Sequence, residues 1–423
     1  MTSITTDRLI STADVRRSLI ERREIALLDV RDEASFAEAH PLFAASLPLD
    51  RVAGEVSDRI PRRTTPIVVY DDGEQLAADA IQQLRVLGYT DLAMLDGGLD
   101  GWRRAGGEIF RDVNVPSKAF GELVEATRHT PSLAAEELKA LLDAHADVVV
   151  LDARRFDEYQ TMSIPAGISV PGGELVYRVG ELAPRPDTLV VVNCAGRTRS
   201  IIGAQSLVNA GIPNRVAALR NGTIGWKLAG LPLDRGQSRR FVPVSEERLD
   251  RARESARAVA ARAGVGRADR SMLQSWLADD SRTLYRFDVR TPEEFAAGHR
   301  AGFRSAPGGQ LVQETDVFAP VRGARIVVTD SDGVRANMTA SWLAQMAWEV
   351  FVLEDGLGSE PLVVEAGHAE RPSGTTAPRA KTYKRPYEGT DNPASAMQAY
   401  LDWEYGLVAQ LERDGTHGFR VIS

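Results

Sequence analysis

The chain contains a single cysteine, Cys194, in the run Cys194-Ala195-Gly196-Arg197-Thr198-Arg199-Ser200. A thiolate is a strong nucleophile whose reactivity is set by its surroundings. A lone cysteine is most often a small buried apolar residue. Here it opens a short polar loop holding a glycine and two arginines, which favours a reactive role. The aliphatic run Leu189 to Asn193 before it reads as a buried strand, and Ser200 to Ala210 after it as a helix. Successive amides of such a loop, with a helix N-terminus, make an anion-binding concavity. That field is expected to depress the thiol pKa. Arg197 and Arg199 would favour the thiolate further and attract an anionic substrate. One cysteine can form neither an internal disulfide nor a cysteine-rich zinc site, and no metal or cofactor is expected.

The elements that must position Cys194 occur three times. Leu27-Leu28-Asp29-Val30-Arg31, Val150-Leu151-Asp152-Ala153-Arg154 and Arg286-Phe287-Asp288-Val289-Arg290 each end an aliphatic run in Asp-x-Arg. A second strand follows in each copy: Pro66 to Tyr70, Leu189 to Asn193 and Arg325 to Thr329. Asp72, Cys194 and Asp330 then stand 43, 42 and 42 positions after the aspartate of the first strand. A helical segment and a third strand come next (Leu92 to Leu95, Val216 to Leu219, Val350 to Leu353), then turns at Asp96-Gly97-Gly98, Asn221-Gly222 and Asp355-Gly356. Alternating strands and helices predict three tandem α/β units of about 110 residues, each a doubly wound parallel sheet covered on both faces. Their expected bounds are 1–113, 125–236 and 265–362, with a helical extension over 380–423.

Between the units, Asp112 to His129 reads as a connector, and Ser245 to Gly264 as an exposed charged helix capped by Ser245. Arg371 to Glu388 reads as irregular. In the tail, Met397, Leu401, Tyr405 and Val408 have the spacing of one helix face, which predicts packing on one of the units.

Composition limits the function classes. At 423 residues the chain suits three domains with connectors. A net charge of −8 with mixed signs argues against a dedicated nucleic-acid binder. No stretch approaches the roughly 20 apolar residues of a membrane span, and the first residues lack a signal-peptide core. These features point to a cytoplasmic protein with no nucleic-acid and no membrane partner.

These repeats resemble rhodanese homology domains over about three quarters of the chain. The resemblance rests on the Asp-x-Arg strand ends, on Glu294-Phe295 followed by Gly298-His299, and on Glu158-Tyr159 followed by Ser163-Ile164-Pro165. It implies that Cys194 is the sulfur-accepting nucleophile. Ala195, Gly196, Arg197, Thr198 and Arg199 would supply the amide cradle, with Gly196 allowing tight curvature and Arg199 closing the loop. It also implies a persulfide filled from a small anionic donor such as thiosulfate and emptied by cyanide or a thiol. A related phosphatase group uses a larger Cys-x5-Arg loop, whereas here the arginine comes at plus five. The smaller ring suits one sulfur atom rather than a phosphoryl group. A relay to a protein sulfur acceptor, docking on the tail and on Lys381 to Arg385, is the other reading.

Asp72 and Asp330 in the cysteine position would leave the outer repeats inactive. Asp152 and Arg154 are expected to tie strand ends together near the active face, and both are also candidates for the cleft. Trp226 and Lys227 are cleft candidates, with Trp226 better suited to the core. His40 and His299 occupy matching positions where the middle repeat has Ser163, and are read as structural.

Overall fold

The computed structural model describes residues 8–354, 362–364 and 382–423. The expected turn at Asp355-Gly356, the residue Lys381 and positions 371–380 of the expected irregular segment lie outside the described residues.

Each repeat builds a sheet whose own strands are all parallel. In the middle repeat the strands lie in the order Ser132–Leu133, Val216–Leu219, Leu189–Asn193, Val148–Asp152, Ile168–Ser169. The third repeat has the same order: Gly266–Ala268, Glu349–Leu353, Arg325–Thr329, Leu284–Asp288, Arg304–Ser305. The near-continuous aliphatic runs suit this arrangement, because helices cover both faces of each sheet. Val190, Val191 and Val192 are fully buried.

Strand register corrects one alignment made from spacing. Asp29 pairs with Tyr70, Asp152 with Asn193 and Asp288 with Thr329. The residues that follow are Asp71, Cys194 and Asp330. The first-repeat counterpart of Cys194 is therefore Asp71, not Asp72, which turns outward to pair with Arg103 at 3.0 Å. Asp71 stands 42 positions after Asp29, the same spacing as Cys194 after Asp152 and Asp330 after Asp288.

The first and third repeats are not separate bodies. The third-repeat strand Val321–Arg322 pairs antiparallel with Ala26 and Ile25 and extends the first sheet. One hydrophobic core runs through both, joining residues such as Leu27 and Phe43 to Tyr285 and Val350.

The connectors differ from expectation in the same direction. Asp112 to His129 contains a helix, Val115–Arg128, with Pro116 in its first turn and most of its residues buried. The charged helix Glu246–Ala263 buries Leu249, Ala256, Val259, Ala260 and Ala263 against the helices Arg335–Gln345 and Leu175–Leu182, so it is a packed strut. Ser245 stands at its N-cap, but its hydroxyl bonds Glu181 (2.5 Å) rather than the helix amides. The tail forms two helices, Ala394–Tyr405 and Leu407–Asp414, broken at Gly406. Met397 and Leu401 face inward as the spacing predicts, but the break leaves Tyr405 half exposed and Val408 only partly buried. Among the described residues no helix is long and apolar enough to cross a membrane.

Candidate active site

Cys194 follows directly on the strand Leu189–Asn193, at the carboxyl edge of the middle sheet, where open α/β sheets bind ligands. The helix behind it starts at Thr198, two residues earlier than its sequence suggests, so Thr198 and Arg199 belong to its first turn. The turn Asn221-Gly222 lies against the loop. Thr223 donates to the Cys194 carbonyl through its amide (2.9 Å) and its hydroxyl (2.8 Å), and the Ile224 amide donates to the Ala195 carbonyl (2.9 Å). Gly222 has φ +52°, and a Cβ there would stand 2.3 Å from the Cys194 carbonyl oxygen. Only glycine fits this position.

The three equivalent loops share one amide. Asp71 accepts from the amides of Gly73 (3.0 Å) and Ala77 (2.9 Å). Asp330 accepts from those of Gly333 (3.0 Å) and Ala336 (2.8 Å). Ala77 and Ala336 stand six positions after their aspartates, and Ser200 holds that place after Cys194. The Cys194 thiol donates to the Ser200 hydroxyl at 3.4 Å, and the Ser200 amide also favours negative charge on the sulfur. The outer repeats thus fill their own anion cradles with a carboxylate, and the middle repeat puts sulfur there.

The structure brings together all of the loop residues Ala195 to Arg199 but redirects the arginines. Arg197 turns away from the sulfur. It holds Glu122 through two bonds of 2.7 and 2.8 Å, pairs with Glu125, and lies 4.0 Å from the Tyr405 ring centroid. Arg199 is bonded twice to Glu158, at 2.7 and 2.8 Å. Burial alone would raise the Glu158 carboxyl, but Arg199, Arg154 and Arg155 together hold it down at about 2.

The expected depression of the thiol pKa is not found. Cys194 is only 2% exposed, and burial pushes its thiol up. Arg199 and Ser200 oppose that rise, and the Glu404 carboxylate adds to it. Arg199 acts on the sulfur without reversing the effect of burial, and Arg197 is taken up by Glu122 and Glu125.

Asp152 and Arg154 form the expected ion pair, at 2.9 and 2.7 Å, and Asn193 adds a bond to Asp152 at 2.9 Å. The same pair recurs as Asp29–Arg31 and Asp288–Arg290. Arg154 also borders a cavity of about 770 Å³ between the middle and third repeats. Glu158, Arg199, Gly309, Gln310 and Tyr387 border it as well, whereas Cys194 does not. Across this cavity the third repeat faces Glu158 and Arg199.

Trp226 and Lys227 are not cleft residues. Trp226 is fully buried in the core beneath the sheet and donates to the Pro232 carbonyl (2.8 Å). Lys227 reaches the Thr390 carbonyl (3.0 Å) and so anchors the tail. His40 bonds the carbonyls of Pro41 and Asp112 and stacks on Phe36, and His299 stacks on Phe295, which fits their structural reading.

Sequence reasoning missed the tail's part in the site. Tyr387, Met397, Tyr400 and Leu401 pack with Ala195 and Ile224 over the Cys194 loop. Tyr400 and Glu404 have the spacing of helix neighbours, which hinted at their bond of 2.8 Å. Nothing in the sequence pairs Glu122 with Arg197, 75 positions away. Arg385, expected on a docking segment, is mostly buried and pairs with Glu388.

Comparison with known proteins gives one family. The rhodanese-like domain profile matches residues 12–105, 134–229 and 271–359. The crystal structure of thiosulfate sulfurtransferase from Pseudomonas aeruginosa is 54% identical, with a TM-score of 0.93 over 98% of this chain and 100% of that one. An uncharacterized protein of Synechocystis is 30% identical over 116 residues, 27% of this chain. An HTH-type transcriptional regulator of Mycobacterium tuberculosis is 33% identical over 90 residues, 21% of this chain. The chain spans less than two thirds of these two relatives, 64% and 39% of their lengths.

Proposed function

The chain belongs to the rhodanese-like family, and on that premise we propose that it is a sulfurtransferase that carries sulfane sulfur as a persulfide on Cys194. The observation that carries this reading is the loop comparison: of three equivalent loops, only the middle one holds a nucleophile, and it sits where the others place a carboxylate.

The Cys194 thiolate attacks the outer sulfur of a thiosulfate-like donor. The donor's S–S bond breaks, and sulfite leaves with its electron pair. The amides of Ala195 to Ser200 surround the terminal sulfur of the persulfide, whose partial negative charge they stabilise. Cyanide or a thiol then attacks that sulfur, and the Cys194 thiolate departs. Arg199, held in place by Glu158, supplies positive charge near the sulfur in both steps. A lone thiol with no disulfide partner suits the reducing cytoplasm.

The test is intact-mass measurement after treatment with thiosulfate. The wild-type chain should gain one sulfur atom, lost on reduction, and Cys194→Ser should gain none while keeping its circular dichroism. An unchanged wild-type mass would count against the mechanism.

A further inference from the structure

The helix Ala394–Tyr405 lies outside all three segments that match the family, yet it forms the roof of the Cys194 loop. Its Glu404 is 1% exposed. One carboxyl oxygen accepts from the Tyr400 hydroxyl (2.8 Å) and from the Thr198 hydroxyl (3.5 Å). The other is buried without a hydrogen-bond partner and aims at the loop, 3.2 Å from where a Cβ on Gly196 would stand.

The cations near this carboxyl are engaged elsewhere. Lys118, from the helix Val115–Arg128, pairs with Asp112 at 2.8 Å and sits over the rings of Tyr400 and Trp403. Arg197, from the loop, is held by Glu122 and Glu125. Glu122, from the same helix as Lys118, adds negative charge. A buried carboxylate without a dedicated cation is costly, so the group tends to stay protonated.

We propose that Glu404 is a positioning residue of the Cys194 site: its carboxyl seats the Gly196–Thr198 segment under the C-terminal helix and, when ionised, opposes negative charge on the sulfur. Burial pushes Glu404 up to about 8, with Lys118, Tyr400 and Arg197 opposing and Glu122 reinforcing the rise. Glu404 is in turn one of the groups that raise the Cys194 thiol. As the pH rises, Glu404 therefore charges before the thiol does, and the thiol titrates against a carboxylate. The effect is specific to this chain's extension, since no element of the three sheets supplies the carboxyl.

The experiment needs no sulfur donor, so its failure is distinguishable from failure of the sulfurtransferase reading. With one cysteine in the chain, the ultraviolet thiolate absorbance, taken as the difference from Cys194→Ser, titrates that thiol alone. Glu404→Gln keeps an acceptor for Tyr400 and Thr198 and removes the charge. Its thiol midpoint should fall by at least about half a pH unit, roughly threefold more thiolate at any pH below both midpoints. Glu404→Asp keeps the charge and should titrate close to wild type. A Glu404→Gln curve that superimposes on wild type, or an equal fall in Glu404→Asp, overturns the proposal.

Discussion

Arg199 meets Glu158 through two parallel hydrogen bonds of 2.7 and 2.8 Å, joining the first turn of the helix behind Cys194 to the short helix Phe156–Thr161. The third repeat builds the same link between Arg335 and Glu294. In both repeats the two partners are 41 positions apart. The first repeat has Leu76 and Ser35 at these places and lacks the link. An arginine that closes the loop thus survives in a repeat without a nucleophile. Its primary work is to fasten the loop helix to the neighbouring helix, and in the middle repeat its charge also acts on the sulfur.

Glu158→Gln should lower stability by about 2 kcal/mol, less than for a fully buried pair because the Glu158 side chain keeps 22% of its surface exposed. The Glu158 pKa is depressed in the folded chain, so the pair's contribution is present above about pH 4.5 and lost as the pH falls through about 2. Urea unfolding of both chains at neutral pH and in acid checks this. A difference that stayed constant down to the lowest pH would contradict the assignment.

Sulfur loading should rise on the alkaline side of the ordinary thiol range. Burial raises the Cys194 thiol, so the thiolate fraction is small at neutral pH and grows as pH increases. Rapid-quench loading rates across pH would record this. A rate already at its plateau below pH about 7 would mean that the loop depresses the thiol after all.

Gly173→Ala and Gly309→Ala should each loosen the contact between the middle and third repeats. The two glycines face one another, and a Cβ on either would stand 3.0 Å from the other's backbone nitrogen. The backbone on both sides must shift, at a cost of about 1–3 kcal/mol. Because Gly309 borders the cavity beside Arg199, the donor KM should rise more than kcat falls. Unaltered unfolding curves for both variants would show that the repeats do not meet through these residues.

Gly222→Ala should impair loading while leaving the sheets folded. The new Cβ would meet the Cys194 carbonyl at 2.3 Å in a backbone conformation with φ +52°. Strain of this kind costs about 1–3 kcal/mol and displaces the loop that holds the sulfur. Gly225→Ala, whose Cβ would stand 2.8 Å from the Arg220 carbonyl oxygen rather than against the Cys194 loop, makes the comparison. Equal loading losses in the two variants would argue against a specific effect on Cys194.

Much of the fold and the core of the site were legible in the sequence. Asp-x-Arg at each strand end announced the buried pairs Asp29–Arg31, Asp152–Arg154 and Asp288–Arg290, because a two-residue separation lets the arginine fold back on the aspartate. The aliphatic runs located the central strands, since period and composition are local properties. Spacing placed Cys194 at a strand end. It put Asp72 in the cysteine position by accepting a spacing of 43 beside two of 42, whereas Asp71, at 42, is the residue that leaves the strand.

The sequence was enough to establish three repeats, a single thiol among three equivalent loops, and a polar Gly/Arg loop around it, because each rests on residues close together in the chain. Long-range packing settled the rest. The first and third repeats share a sheet edge through Val321–Arg322, Arg197 is taken up by Glu122, and the tail brings Glu404 from 206 positions away onto Thr198. The ionisation of Cys194 belongs to this second group. Loop composition counts the nearby charges, whereas the pKa depends on how deeply the sulfur is buried and on which carboxylates have already claimed the arginines.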